Sequence, residues 1–228
     1  MITHGSTATS TFHEYINEAI LSIRNGLEYQ RMVEPEIRNG EFTTNHHSIS
    51  DINYRYAFIM IANSLEAAAN AMMLTLGAVK EDYQNLEKLN VVLKFKIFCD
   101  IKRVKFNGDN LIVKKIREIS SCRNNFVHPK PNLTPFTIDK QTNAVIFETK
   151  KTALKKYPNY FTEISLEHTL EALKDCLNFI SWVVFDLCQY SLVDGALLIG
   201  YFSYGSTGYL REIEVQCKVE FDHRCFAQ

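Results

Sequence analysis

Several signatures that would assign this chain a familiar chemistry are missing. The six cysteines, Cys99, Cys122, Cys176, Cys188, Cys217 and Cys225, are scattered, and none forms a Cys-x-x-Cys pair. With no signal-peptide pattern at the start, they read as reduced thiols, and the expected location is cytoplasmic. The longest apolar runs, around residues 179–185 and 196–202, are too short to span a bilayer, so no membrane is expected. No glycine-rich phosphate loop, zinc spacing or Ser/His/Asp order stands out, which weakens the nucleotide-triphosphate and metal enzyme classes. His13, His46 and His47 have neither i,i+4 spacing nor nearby carboxylates, so no metal and no cofactor are expected.

What is present is a chain of 228 residues, 46% hydrophobic and 22% charged, enough for one globular domain with a proper core. Its net charge of -1 argues against a polyanion partner until the distribution is considered. Between Lys94 and Lys156 there are 15 Lys+Arg against 5 Asp+Glu, so the rest of the chain is acidic and one region is a plausible dock for nucleic acid.

Helical periodicity dominates. Phe12, Ile16, Ala19, Ile20, Ile23 and Leu27 predict a first amphipathic helix over about 11–31, and Pro35, Asn39 and Gly40 predict its end. Ser50 is the expected N-cap of a second helix over about 51–76, closed by Gly77. Residues 81–103 supply further apolar faces, and Asn107-Gly108-Asp109 predicts a turn that caps the next helix. Ser165 caps the clearest helix, whose seam is Leu166, Leu170, Leu173, Leu177, Ile180, Val184 and Leu187.

The most informative stretch is Ser120–Lys130. Ile112, Ile116, Ile119, Arg123 and Phe126 fall within roughly 80° of one another on a helix, so an arginine lies inside an apolar stripe and requires a partner or a ligand. Pro129 and Pro131 end that helix and deliver His128 at its exit. Asn124 shares the side of His128 if the turn stays regular.

The order Arg123-Asn124-x-x-x-His128, followed by a proline on a late helix of an all-α chain, resembles the signature of the HEPN superfamily. The resemblance implies a helical bundle, in many members a metal-independent ribonuclease that pairs two motifs across a homodimer, and in others a binding or scaffold module. It implies Arg123 as phosphate binder, Asn124 as the polar second residue and His128 as acid/base. It further implies a polar or acidic residue on an earlier helix facing the motif, with Glu66 as the expected partner of Arg123 and Asn70 beside it. A toxin–antitoxin or phage-defence setting, with an antitoxin or regulatory partner protein, is implied by the same association.

The fold expected is mainly α: an up-and-down, HEPN-like bundle of about four to five helices over residues 1–194. A β-hairpin is expected as an insert at about 134–149, and a β-rich tail over 195–228 packs on the same domain. The tail reading rests on the alternation of Ile213, Val215, Cys217, Val219 and Phe221. After the hairpin, Lys150, Lys151, Lys155 and Lys156 precede Tyr157. With Lys130 they suggest an RNA path in which lysines meet phosphates and the ring stacks on a base.

Overall fold

Helix α1 (Phe12–Arg38) and helix α2 (Thr44–Thr75) run antiparallel as the long frame on which the others pack, in a computed structural model. The structure describes residues 11–38, 44–76, 85, 88–127, 136–138, 145–147, 157–158, 161–199 and 204–226. The remaining helices are α3 (Val91–Ile101), α4 (Leu111–Val127), α5 (Leu166–Ser181), α6 (Leu192–Ile199) and α7 (Tyr204–Cys217). Two three-residue segments, β1 (Phe136–Ile138) and β2 (Val145–Phe147), pair antiparallel with Phe136 opposite Phe147. The fold is thus a mainly helical bundle.

The expected apolar face of α1 is its buried face: Phe12, Ile16, Ala19, Ile20 and Ile23 are all fully enclosed. The helix continues past the predicted break to Arg38, through Pro35, because a proline removes a single backbone donor and one lost bond does not end a helix already packed. Helix α2 begins at Thr44, so Ser50 lies buried within it instead of capping it. Its first turns lack the apolar periodicity that marks a helix start in sequence.

Helix α2 is the centre of the core. It packs against α1 along its length and against α3, α4, α5 and α6, burying Phe58, Ile61, Leu65, Ala68, Ala69 and Met72. The stretch Ile49–Thr75 is long and apolar enough by composition to cross a bilayer, contrary to expectation, because a few polar residues interrupt it without lowering its mean hydropathy much; most of it is buried within the fold. Gly26 lets α1 approach α2 closely, since a Cβ there would run into the ring of Tyr54. The Tyr54 hydroxyl in turn donates to Gln30 Oε1 at 2.9 Å.

Asn90 caps α3 by accepting from Leu93 N, and Asn110 Oδ1 accepts from Ile112 N at the start of α4. Ser165 caps α5 as expected, completing a capping box with His168 in the place usually held by Glu or Gln. Helix α5 then widens into a π turn, Trp182–Leu187, where Cys188 N donates to Val183 O, five residues back, at 3.0 Å.

The tail is helical, which corrects the expected β-rich tail. Leu210 and Ile213 are buried whereas Val215 is 82% exposed, so the burial has a helical period and the alternation with polar residues is a coincidence of spacing. Asp194 and Gly195 lie inside α6 instead of ending the helical region. Helix α7 packs on α1, and a short 3-10 turn, His223–Phe226, closes over α5 and α6.

Candidate functional site

The apolar stripe of α4 faces the core as read from the sequence: Ile116 and Ile119 are fully buried, and Ile112 and Phe126 pack at its margin. Arg123 sits among them half-buried. Its Nε donates to Asn63 Oδ1 of α2 at 3.2 Å, and one terminal nitrogen donates to Asn124 Oδ1 at 3.1 Å. Two neutral amide oxygens therefore orient the guanidinium. They satisfy hydrogen bonds without neutralising the charge.

The expected pairing of Glu66 with Arg123 is not formed. Glu66 is engaged instead by Lys94 of α3, which also donates to Asn70 Oδ1 at 2.8 Å. The Lys94 side chain is fully buried, and an ammonium in that position has to find a carboxylate or stay uncompensated in a low-dielectric interior. Glu66 is the carboxylate within reach, and Asn63 is left to hold the arginine. Lys94 is hard to single out in the sequence because Lys96, two residues on in the same apolar stretch, is an ordinary exposed lysine. The available signal is its place among Val91, Val92, Phe95 and Phe98, on the buried side of α3.

Asn63, Glu66 and Asn70 recur at helical spacing, so they form one polar seam on an otherwise apolar helix, facing α3 and α4. Asn124 lies at the exposed rim.

Tyr157 was expected on an RNA path, and the structure removes it from one. It is 2% exposed, packs edge-on against Phe58 and donates its hydroxyl to Asp175 Oδ2 at 3.1 Å. Burial, and then the Asp175 carboxylate, push its phenol far above the ordinary range. Asp175 is itself buried and accepts from Lys115 Nζ at 2.7 Å. This network ties α4, α5 and the segment at 157 together, and its aromatic member serves the core.

His128, Lys130, Lys150, Lys151, Lys155 and Lys156 lie outside the described residues. Exposed basic residues of α3, α4 and the turn between them, Lys96, Lys102, Arg103, Lys105, Lys114 and Arg117, carry the described part of the positive region. A cavity of about 230 Å³ opens beside α4 between Arg117, Ser121, Cys122 and Tyr157. The larger cleft, about 530 Å³, lies elsewhere, between α1, the start of α5 and the end of α7, with Arg31, Glu171, Lys174 and Cys217 on its walls. Among the described residues no three His, Cys, Asp or Glu side chains cluster in a way that would hold a metal ion.

In comparisons with protein-family models, curated proteins and solved structures, the chain matches none.

Proposed function

We propose that this chain is a metal-independent endoribonuclease with a HEPN-like bundle, in which the RNA 2′-hydroxyl attacks the adjacent phosphorus, Arg123 holds the phosphoryl oxygens and His128 moves a proton. The observation that carries the reading is the state of Arg123. It is held in place by amide oxygens of Asn63 and Asn124, while the carboxylate on the same seam is taken by Lys94. Among the described residues its positive charge has no carboxylate partner, and a phosphate would supply one. In the sequence His128 directly follows Val127, the last residue of α4, and its side-chain type titrates near neutrality.

One imidazole cannot both take and give the proton in a single step. Two copies related by symmetry, with their 120–130 segments facing, would bring two imidazoles to one cleft, and a homodimer belongs to this reading. So do Lys130, Lys150, Lys151, Lys155 and Lys156 as phosphate contacts, a cytoplasmic location and a neutralising partner protein of a toxin or phage-defence system.

A second reading has its own observation. The Arg123 to Asn63 bond joins α4 to α2, which is also what a purely structural arginine in a binding or scaffold module would do. Incubating the purified chain with RNA in EDTA separates the two. Cleavage that leaves 2′,3′-cyclic phosphate ends and disappears in His128→Ala, with the circular dichroism spectrum unchanged, supports the nuclease; intact RNA at high protein concentration supports the module.

A further inference from the structure

Independently of the ribonuclease reading, we infer that Cys188 and Cys99 form a site of oxidation by hydroperoxides, in which Cys188 is oxidised first and Cys99 closes a disulfide onto it. Their spacing in the sequence is silent about this, because the fold and not a motif brings them together. Cys99 lies in the last turn of α3 and is fully enclosed, whereas Cys188 directly follows the π turn and is half-buried. Beyond it Gln189 takes a left-handed backbone, φ 54°, and Tyr190 N donates to Val184 O at 3.1 Å. That corner is folded onto the end of α3. The Lys102 ammonium sits 5.9 Å from the ring centre of Phe98 and 5.5 Å from that of Tyr190. Phe98 adjoins Cys99, Tyr190 comes two residues after Cys188, and in the same contact the Cys99 thiol donates a hydrogen bond to the Cys188 sulfur.

Access and charge divide the roles. Cys188 reaches solvent, and the hydrogen bond it accepts together with the Lys102 ammonium outweighs its partial burial and favours the thiolate, the form that attacks an oxidant. Cys99, enclosed and donating, keeps its proton until the sulfur beside it becomes electrophilic. The core thiols Cys176 and Cys225 are built differently and serve as an internal control. Both are buried, and each is bonded to a serine hydroxyl, Ser64 at 3.5 Å and Ser181 at 3.3 Å.

The oxidant is a hydroperoxide, and with hydrogen peroxide the chemistry runs in two steps. The Cys188 thiolate attacks one peroxide oxygen; the O–O bond breaks, an S–O bond forms, and the other oxygen leaves as hydroxide and is protonated by solvent. The sulfur gives up two electrons and the peroxide takes them. The Cys99 sulfur then displaces hydroxide from Cys188: the S–O bond breaks, the S–S bond forms at about 2.05 Å, and the Cys99 proton departs with the hydroxide as water. Two thiols and one hydrogen peroxide thus become one disulfide and two waters. The new bond ties α3 to the chain between α5 and α6, and a thiol reductant reverses it.

The test mixes the purified, reduced chain with an equimolar amount of hydrogen peroxide in EDTA, blocks the remaining thiols with N-ethylmaleimide, and maps the digest by mass spectrometry. The wild type should yield a joined peptide pair carrying Cys99 and Cys188, with Cys176 and Cys225 still reduced. In Cys99→Ala the sulfenic acid at Cys188 should persist and be trapped by dimedone. Cys188→Ser should consume peroxide at least about tenfold more slowly and form no disulfide. Lys102→Met should slow the first step severalfold, and Lys102→Arg, which keeps the cation, should not. A disulfide between two copies, a disulfide joining other cysteines, or a wild type whose Cys188 runs on to sulfinic acid while Cys99 stays a thiol would each overturn the proposal. So would a wild type whose Cys188 is untouched by peroxide. Mapping the wild type decides the pairing even where a variant fails to fold.

Discussion

Lys115 and Asp175 form an ion pair at 2.7 Å that joins α4 to α5, with the carboxylate almost wholly buried and the ammonium 28% exposed. The asymmetry in burial sets the order of two substitutions. Lys115→Met leaves a buried carboxylate without its counter-charge and is expected to destabilise by about 3 kcal/mol, near the lower end for breaking a buried pair. Asp175→Asn removes the charge itself, leaves a lysine that can hydrate, and keeps an oxygen for the Tyr157 hydroxyl, so about 1 kcal/mol is expected. Urea unfolding of both variants checks the order; equal losses would mean that charge is not what the pair contributes.

Arg123→Lys tests the fork of the guanidinium. A lysine keeps the charge but cannot bind Asn63, Asn124 and two phosphate oxygens in one plane. Under the nuclease proposal, cleavage falls by about 100-fold with the fold retained. A variant that cleaves normally would show that a point charge suffices.

The helical tail makes opposite demands on two neighbouring apolar residues. Ile213 is 1% exposed and Val215 is 82% exposed. Ile213→Ala is expected to cost about 2–5 kcal/mol, and Val215→Lys less than about 0.5 kcal/mol. Similar losses at both positions would point back to a half-buried strand.

The thiols should separate by reactivity and by pH. Cys188 is half-buried, and a hydrogen bond from Cys99 together with the Lys102 ammonium holds its thiol below the ordinary range. It should be alkylated first by iodoacetamide, and Cys188→Ser should remove that fast phase. Cys176 and Cys225 are buried in the core, and burial pushes each up to about 12. In the unfolded chain they lose protons near 9, so between pH 9 and 12 the folded state holds more protons than the unfolded one. Their contribution is whole below pH 9 and is lost as the pH rises toward 12, so urea midpoints should fall over that window. Replacing both with alanine should flatten the fall.

Gly26→Ala would drive a methyl group of α1 into the ring of Tyr54 on α2. Overpacking of this kind costs about 1–3 kcal/mol. Thermal melting reads it, and a second substitution, Tyr54→Leu, should relieve part of the loss.

Legibility in the sequence depends on whether a burial pattern has one interpretation. Helices α1 and α5 and the stripe on α4 are readable because a single apolar face meets a single core. The tail misleads because Ile213 to Phe221 fits a period of two as well as it fits a helix, and only tertiary packing on α1 decides between them. The polar seam is half legible. Glu66 and Asn70 stand out as polar residues on an apolar helix, but their partner depends on which cation is buried deepest, and that is Lys94 on a different helix. Tyr157 resembles a surface aromatic because lysines precede it, whereas the carboxylate that draws it inward, Asp175, comes 18 residues later.

The π turn at the end of α5 has a consequence for how this chain tolerates changes of length. One surplus residue in that turn rotates the chain beyond it by about 100° relative to an α-helix. The rotation brings Cys188 against Cys99 and sets the Tyr190 ring 5.5 Å from the Lys102 ammonium, both on the side of α3. Deleting any one of residues 182–187 would restore the regular ladder and swing those side chains away, together with the aim of α6. Along this stretch the number of residues matters more than which residues they are, the reverse of what holds for a surface loop.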